Sequence, residues 1–394
     1  MRICLLVPSV YGMRGDARSV VNLAGELSRR HDVEILSVRR HRERPFFPVA
    51  EGVRLSWVVD DRPGVRHLLP PGQVRTDVAL WRRLRSLKTD VLISTRPGLS
   101  VQAARHAPRD AVRIAREWGR PPAAASIRRF YPRMDAVVTA TETGRAEWER
   151  LVGGTVGVTT IPDALPGGPW PRSRMDNRLV VAGGRWVPAK AYDLLIRAFA
   201  TVADKRPDWR LRLYGGGPED RRLRALVADL DLHNHVYFMG TTPDLAGEFA
   251  KASIVATTAR AEGLGMTVIE ALASGVPVVG FDGPGGAGEF VTDGRSGVLV
   301  PPGPDGDRDD AGPAGESGGR GGTGPAGENE TRDDAGSAGE SEVRAYASAL
   351  LALIDDERRR RELAAGALAA AAPHRASSVA ERWEKLIEAA ARPA

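Results

Sequence analysis

Two carboxylates in one short segment are the residues of this sequence best placed to do chemistry. Glu262 and Glu270 stand eight positions apart, with Gly263 and Gly265 between them and apolar neighbours around the second glutamate. Glycine has no Cβ, so the backbone can turn tightly there and a ligand can approach it closely. A carboxylate accepts strong charge-assisted hydrogen bonds from sugar hydroxyls, on the order of 1.5–3 kcal/mol each. The pair therefore predicts a site for a hydroxylated ligand.

A predicted helix positions this pair. The pattern from Thr267 to Ala273 is helical, Gly275 ends it, and a buried strand starts at Pro277. The free backbone N–H groups near the start of such a helix form an anion site. One acid before the helix and one inside it can hold two hydroxylated rings on either side of a diphosphate. The segment thus predicts a nucleotide-sugar site.

This spacing resembles the Glu-x7-Glu motif of the retaining GT-B glycosyltransferases, and of their family 4 (glycosyl transferases group 1) in particular. The likeness covers nearly the whole chain. The other matching segments, in chain order, are 1–8 with Gly12, Gly15 and 18–24, then 183–185 with Lys190, then 213–219, 236–240, 289–294 and 297–301. Each segment alone is a weak signal, but their common order and spacing make the resemblance specific.

The resemblance implies a role for each site residue. Glu262 would contact the transferred sugar and Glu270 would hold the nucleotide ribose, while Arg185 and Lys190 would neutralise the departing diphosphate. The implied catalytic residues are Glu262, Arg185 and Lys190. The implied donor-binding residues are Gly15, Arg185, Lys190, Glu262, Gly263, Leu264, Gly265, Met266 and Glu270. No metal and no cofactor is expected, because fixed positive groups take the metal's place, and the Asp-x-Asp triplets at 229–231 and 305–307 are interpreted as accidental.

One departure from the family pattern lies in the first half of the chain. The family usually has a histidine just after the strand that matches residues 112–115, and Trp118 takes that place here. An indole has one N–H donor and no acceptor, so it cannot transfer protons. His106, on a predicted helix upstream, is an alternative group for that role. Trp118 therefore raises a second hypothesis, a protein that binds a nucleotide sugar without transferring it.

Short apolar runs alternate with helical patterns, which predicts parallel, doubly wound sheets. In the first half, strands are predicted at 3–8, 33–38, 53–59, 91–94, 111–115 and 136–140, with a helix at 18–30. A second such sheet starts near Leu179, after a linker rich in proline and glycine at 162–177. The expected fold class is α/β of the GT-B type, with two Rossmann-like domains facing across a cleft. We expect an acceptor domain at 1–165, onto which a helix at 377–391 packs back, and a nucleotide-sugar domain at 176–376.

Residues 303–341 differ from the rest of the chain. Glycine, acidic residues, alanine and serine dominate there, and a ten-residue block at 308–317 recurs with one change at 332–341. Because the segment has no core-forming residues, it is predicted to be a disordered low-complexity insertion.

Composition limits the remaining classes. The 394 residues carry a formal net charge of +6. Because Cys4 is the single cysteine, we expect no disulfide framework and a reducing, cytoplasmic location. No run approaches the ~20 apolar residues of a membrane span. Arginine clusters at 39–44 and 82–85 lack interleaved aromatic residues, which disfavours nucleic acid. They are compatible with an anionic acceptor or with peripheral contact at the inner membrane face.

The sequence thus predicts a retaining, metal-independent glycosyltransferase that moves a sugar from a nucleoside diphosphate, most often UDP in the family, to an acceptor hydroxyl. The acceptor can be lipid-linked, polymeric or a small molecule. Besides a non-catalytic binder, a nucleotide-sugar epimerase or a phosphorylase on the same fold is an alternative. A new sugar isomer formed from the donor alone would identify the epimerase.

Overall fold

The computed structural model divides the chain into two compact units. Unit 1 comprises Met1–Pro169 together with Pro373–Ala394, and unit 2 comprises Trp170–Ala372. The structure describes residues 1–65, 72–118, 125–167, 169–259, 265–283, 286–303 and 332–391, with side chains from 339 onwards in the last range.

Unit 1 is built on a parallel sheet of seven strands in the order β3-β2-β1-β4-β5-β6-β7. The strands are β1 (Arg2–Val7), β2 (Asp32–Arg40), β3 (Val53–Asp60), β4 (Val91–Thr95), β5 (Val112–Glu117), β6 (Ala136–Thr139) and β7 (Val158–Thr160). The central strands are buried on both faces because helices cover each side, as is usual for parallel sheets.

Two helix layers cover this sheet. The helices of unit 1 are α1 (Gly15–Leu27), α2 (Gln73–Arg85), α3 (Pro97–His106), α4 (Ala125–Phe130), α5 (Glu142–Val152) and α12 (Ala376–Ala391). Helices α1 and α12 share one core with Ile3 and Leu5, to which Trp383 of α12 contributes a fully buried ring. Helices α2 to α5 pack on the opposite face, over Cys4, Leu6 and their neighbours.

Unit 2 repeats this plan with six parallel strands in the order β10-β9-β8-β11-β12-β13. The strands are β8 (Leu179–Arg185), β9 (Arg210–Gly216), β10 (Val236–Gly240), β11 (Ile254–Ala256), β12 (Val278–Phe281) and β13 (Gly297–Val300). The helices are α6 (Tyr192–Lys205), α7 (Asp220–Asp229), α8 (Leu245–Phe249), α9 (Met266–Ala273), α10 (Arg332–Asp355) and α11 (Glu357–Ala370). Parallel Rossmann-like sheets were the expected fold class, and this prediction is confirmed.

Helix α10 changes one expectation. It extends back to Arg332, so residues 332–341, which were predicted to be disordered, are helical in the structure. The anchor of this helix is Tyr346, whose hydroxyl donates to the carbonyls of Thr257 (3.0 Å) and Val279 (2.8 Å). Once this buried end is fixed, extending the helix adds one hydrogen bond per residue, which favours continuation through a polar sequence. The rest of the predicted insertion, 304–331, lies outside the described residues.

No helix within the described ranges combines the length and the apolar character needed to cross a membrane.

Candidate functional site

The carboxyl ends of β8 and β9 approach each other closely because glycines occupy them. A Cβ added at Gly215, whose φ is +142°, would lie 1.8 Å from the carbonyl oxygen of Gly184. A Cβ at Gly217 would lie 2.3 Å from the carbonyl oxygen of Trp186. No other residue fits such an approach without moving the backbone. Between these contacts Arg185, the last residue of β8, is exposed at the strand end.

The next turn holds Lys190 close to a neighbouring strand. Lys190 ends a short 3₁₀ turn, Pro188–Lys190, and Ala191 follows it with φ of +44°. The Thr258 hydroxyl, just beyond β11, donates to the carbonyl oxygens of Lys190 (2.8 Å) and Ala191 (2.9 Å). This hydroxyl therefore fixes the lysine turn against the chain segment that leads towards Glu262.

Helix α9 starts at the end of that segment. Gly265 is its N-cap residue, with φ of +59°, and a Cβ there would lie 2.2 Å from the ring of Phe290. The helix begins at Met266, one residue earlier than predicted, and ends before Ser274. Its first backbone N–H groups have no partners within the helix, as at any helix N-terminus, so they suit an anion.

Glu270 lies inside this helix and is only 2% exposed. Its carbonyl oxygen accepts from the backbone N–H and from the hydroxyl of Ser274, both at 3.1 Å. Burial of a carboxylate is costly unless polar groups or cations compensate it. Glutamates are usually exposed, so the burial of Glu270 in a short helix is unusual and agrees with a role in binding.

Within unit 2, Arg185 and Lys190 follow β8, and Gly265 and Glu270 lie in the connection after its neighbouring strand β11. The contact of Thr258 with the lysine turn joins the two connections. Three predicted site residues, Glu262, Gly263 and Leu264, lie outside the described residues. Their segment is bounded by Ala259 on one side and Gly265 on the other. The connections that follow two neighbouring strands of unit 2 thus carry two cations, a helix N-terminus and a buried acid.

In unit 1, the loop after β1 leads to Gly15, the first residue of α1. The next residue, Asp16, is buried and accepts from both Nε (3.2 Å) and Nη2 (2.6 Å) of Arg96. Burial raises the pKa of the Asp16 carboxyl, against the effect of the neighbouring Arg14 guanidinium. Arg96 follows β4 and has φ of +75°, which is strained for any residue other than glycine. The ion pair between Arg96 and Asp16 therefore fixes the start of α1, where the predicted donor contact Gly15 lies.

Trp118 lies just after β5, and its indole N–H is directed into unit 1. Nε1 donates to Oδ1 of Asp163 at 3.4 Å, the oxygen that also accepts from Nη2 of Arg116 at 2.6 Å and from the Ser19 hydroxyl. The Arg116–Asp163 pair is buried, and the guanidinium lies 5.4 Å from the ring centre of Trp383. Because its donor is engaged by Asp163, Trp118 offers a ligand mainly the face of its ring.

Glu117, the residue before Trp118, points into a different environment. Its carboxylate accepts from the hydroxyls of Ser100 (2.6 Å) and Tyr131 (2.5 Å). Burial raises its pKa to about 8, although both hydrogen bonds act in the opposite direction. His106, the other group considered for proton transfer, lies in the last turn of α3, about 14 Å of helix away from the end of β4. Its pKa is lowered by burial and by the nearby arginines.

Sequence reasoning missed Thr258, Arg96 and Asp163. Each acts through a partner that is distant in the sequence, such as Lys190 for Thr258 and Asp16 for Arg96. Only the strand order brings these partners together, so no local motif could identify them. Among the described residues, no group of three His, Cys, Asp or Glu side chains is arranged to hold a metal ion.

Comparison with known proteins links unit 2 to one family. Residues 171–308 match the family described as Glycosyl transferases group 1. The chain is 34% identical over 334 residues to an exopolysaccharide phosphotransferase of Streptomyces coelicolor. This match covers 77% of this chain and 36% of that protein. The chain is 33% identical over 201 residues to a GDP-mannose-dependent alpha-(1-6)-phosphatidylinositol monomannoside mannosyltransferase of Mycolicibacterium smegmatis, covering 46% of this chain and 52% of that protein.

These matches span between about a third and a half of the relatives' own lengths. The first relative is named for phosphoryl transfer, whereas the matching family is named for glycosyl transfer. About two thirds of this relative lies outside the match.

The fold extends the likeness to nearly the whole chain. The structure of HepE from Anabaena, solved in complex with UDP and glucose, superposes with a TM-score of 0.72 over 98% of this chain and 99% of that one, at 17% identity. At this identity the superposition concerns the fold alone. Residues 171–308 therefore match the glycosyl transferases group 1 family, and the chain that carries them has the GT-B fold.

Proposed function

We propose that this protein is a retaining glycosyltransferase that transfers a sugar from a nucleoside diphosphate to an acceptor hydroxyl. The bond between the anomeric carbon and the diphosphate oxygen breaks, and the acceptor oxygen bonds to that carbon on the same face. The observation that carries the proposal is the grouping of Arg185, Lys190 and the N-terminus of α9 within the matched part of unit 2.

Negative charge develops on the diphosphate as it leaves, and this grouping suits it. Arg185 and Lys190 supply full positive charges, and the backbone N–H groups after Gly265 supply partial ones. Removing one electrostatic stabiliser of this kind typically lowers the rate by about 10²–10³. The leaving phosphate takes the proton of the acceptor hydroxyl, so no base from the protein is required and Trp118 does not prevent the reaction.

The two glutamates would hold the rings on either side of the diphosphate. Glu270, buried in α9, is assigned to the ribose hydroxyls, and Glu262 to the transferred sugar. We propose that the nucleotide of the donor is UDP, and the UDP in the Anabaena HepE structure supports this choice. GDP is the alternative donor nucleotide, because one relative is named as GDP-mannose-dependent. A thermal-shift screen of UDP-, GDP- and ADP-sugars tests the choice, because a bound ligand raises the melting temperature by mass action.

The Glu262→Ala variant tests the catalytic assignment. We expect sugar transfer to be abolished in a radiolabelled-sugar assay while the melting temperature of the protein changes little. Glu357→Ala is a suitable control, since it removes an exposed carboxylate of the same unit. Turnover near that of the unmodified enzyme after the Glu262 change would refute the assignment.

A non-catalytic nucleotide-sugar binder is the second candidate, and the orientation of Trp118 favours it. The indole N–H donates to Asp163, so this position contributes no group that can transfer a proton. Calorimetry that detects donor binding, without hydrolysis or transfer to any acceptor supplied, would support this candidate over the enzyme.

A further inference from the structure

One helix of unit 1 presents apolar side chains to solvent. In α2, Val74, Val78 and Trp81 are 76%, 43% and 39% exposed. Their spacing places them on one stripe of the helix, and Arg85 continues that stripe. The Arg85 guanidinium lies 5.7 Å from the centre of the Trp81 ring. A helix normally turns such a stripe towards the core, whereas α2 buries Leu80 and Leu84 on its other side and leaves this stripe uncovered.

The neighbouring helices α3 and α4 add positive charge to the same side of the sheet. Helix α2 packs beside α3, and α3 beside α4. The guanidiniums of Arg105, Arg129 and Arg133 lie 5.3, 5.4 and 5.5 Å from the centre of the Phe130 ring. Three cations around one ring repel each other unless an anion joins them.

Other helices of the molecule contain arginines that have carboxylate partners. In α5, Arg145 pairs with Glu142 (2.7 Å) and Glu149 (2.6 Å), and in α11 Arg361 pairs with Glu357 (2.7 Å). No carboxylate in the described ranges pairs with the arginines that face solvent on α2 to α4 and the turn after α4. These are Arg82, Arg85, Arg105, Arg128, Arg129 and Arg133. In α2 itself the two inward arginines do pair, Arg75 with Asp61 and Arg83 with Glu34.

We propose that this surface docks unit 1 onto an anionic lipid bilayer. We call it the arginine face, and it consists of those six arginines with Val74, Val78, Trp81 and Phe130. A soluble polyanion would be attracted by the arginines alone, but it gives no reason to expose two valines and a tryptophan. At a bilayer interface the apolar stripe enters the region between head groups and acyl chains, while the arginines bind lipid phosphates. The inference does not depend on the transfer reaction.

Vesicle co-sedimentation tests the proposal with the whole chain. We expect binding to equimolar phosphatidylglycerol and phosphatidylcholine vesicles, weaker binding at high salt, and little binding to phosphatidylcholine alone. Replacing Arg128, Arg129 and Arg133 together by glutamine should weaken binding by about tenfold or more. The matched control replaces Arg145, Arg358 and Arg361 by glutamine. It removes the same number of positive charges from arginines that pair with glutamates, so it should leave binding nearly unchanged.

The apolar stripe separates lipid from other anions. The Val78→Ser and Trp81→Ser double variant should also lose vesicle binding, while its melting temperature and its UDP thermal shift stay close to those of the unmodified protein. The proposal is overturned if this double variant binds vesicles normally, if both arginine variants lose binding equally, or if the protein binds soluble polyphosphate but not anionic vesicles. The UDP shift reports on unit 2, so its absence would count against the proposed function and not against docking.

Discussion

At the scale of single residues, Glu117 shows how burial changes the chemistry of a carboxyl. It is enclosed at the end of β5, where two hydroxyls donate to one of its oxygens. The raised pKa of about 8 means that burial outweighs both hydrogen bonds. The folded protein therefore holds a proton on Glu117 at a pH where the unfolded chain, with a pKa near 4.5, has released it.

This difference predicts a pH dependence of stability. Between about pH 4.5 and pH 8 the folded state binds more protons than the unfolded state, so the contribution of Glu117 is fully present at low pH and is lost as the pH rises. The loss is at most about 1.4 kcal/mol per pH unit in that window. Urea denaturation of the unmodified protein and of Glu117→Gln at both ends of the window measures it. Other groups titrate in both proteins, so their effects cancel when the two free energies of unfolding are subtracted. If the difference between the unmodified protein and Glu117→Gln were the same at the two pH values, the raised pKa would be contradicted.

At the scale of elements, short contacts at strand ends position the candidate site. The glycines after β9 allow the strand ends to meet, and the Thr258 hydroxyl ties the lysine turn to the segment beyond β11. Gly265 then starts α9 beneath the ring of Phe290. Each contact fixes backbone, so the site depends on residues that need not touch the ligand themselves.

Gly265→Ala tests this dependence, with Gly240→Ala as the matched control. Both glycines have a left-handed φ, +59° and +76°, so each alanine should cost about 1–2 kcal/mol of backbone strain. Only the alanine at 265 also meets Phe290, since nothing lies within 4 Å of a Cβ at 240. We therefore expect a larger loss of stability in urea, and weaker donor binding, for the change at 265. Equal losses in the two variants would show that the Phe290 contact is unimportant.

The elements also show what the sequence can and cannot predict. Strands such as β1 and β4 are continuous apolar runs, so their burial was predictable, and α9 was misplaced by only one residue. Strand β7 was missed because its three residues are only partly buried and form no such run. The Arg116–Asp163 pair joins positions 47 apart in sequence, so its partners become neighbours only through the order of strands. Candidate residues could be named, Glu262 and Glu270 from their spacing and Arg185 with Lys190 from the family resemblance. The contact of Thr258 with the lysine turn could not be predicted.

At the scale of the whole molecule, the chain repeats one architecture with different surfaces. Each unit is a parallel sheet between helix layers, and the carboxyl ends of its strands lead into the loops that carry the polar residues. Unit 2 carries the cations and the buried acid proposed to bind the donor. Unit 1 carries the buried Arg116–Asp163 network near Trp118 and, on the helices α2 to α4, the arginine face.

The central claim is that Arg185 and Lys190 bind the diphosphate of a nucleotide sugar, and calorimetric titration with UDP tests it most directly. We expect saturable binding that weakens by about tenfold or more when either residue is replaced by alanine, since a hydrogen bond to a charged group contributes about 1.5–3 kcal/mol. Arg197→Ala, an exposed change on the adjacent helix α6, should leave the affinity unchanged. Failure of the unmodified protein to bind UDP, GDP or ADP, or equal affinity in all three variants, would contradict the account.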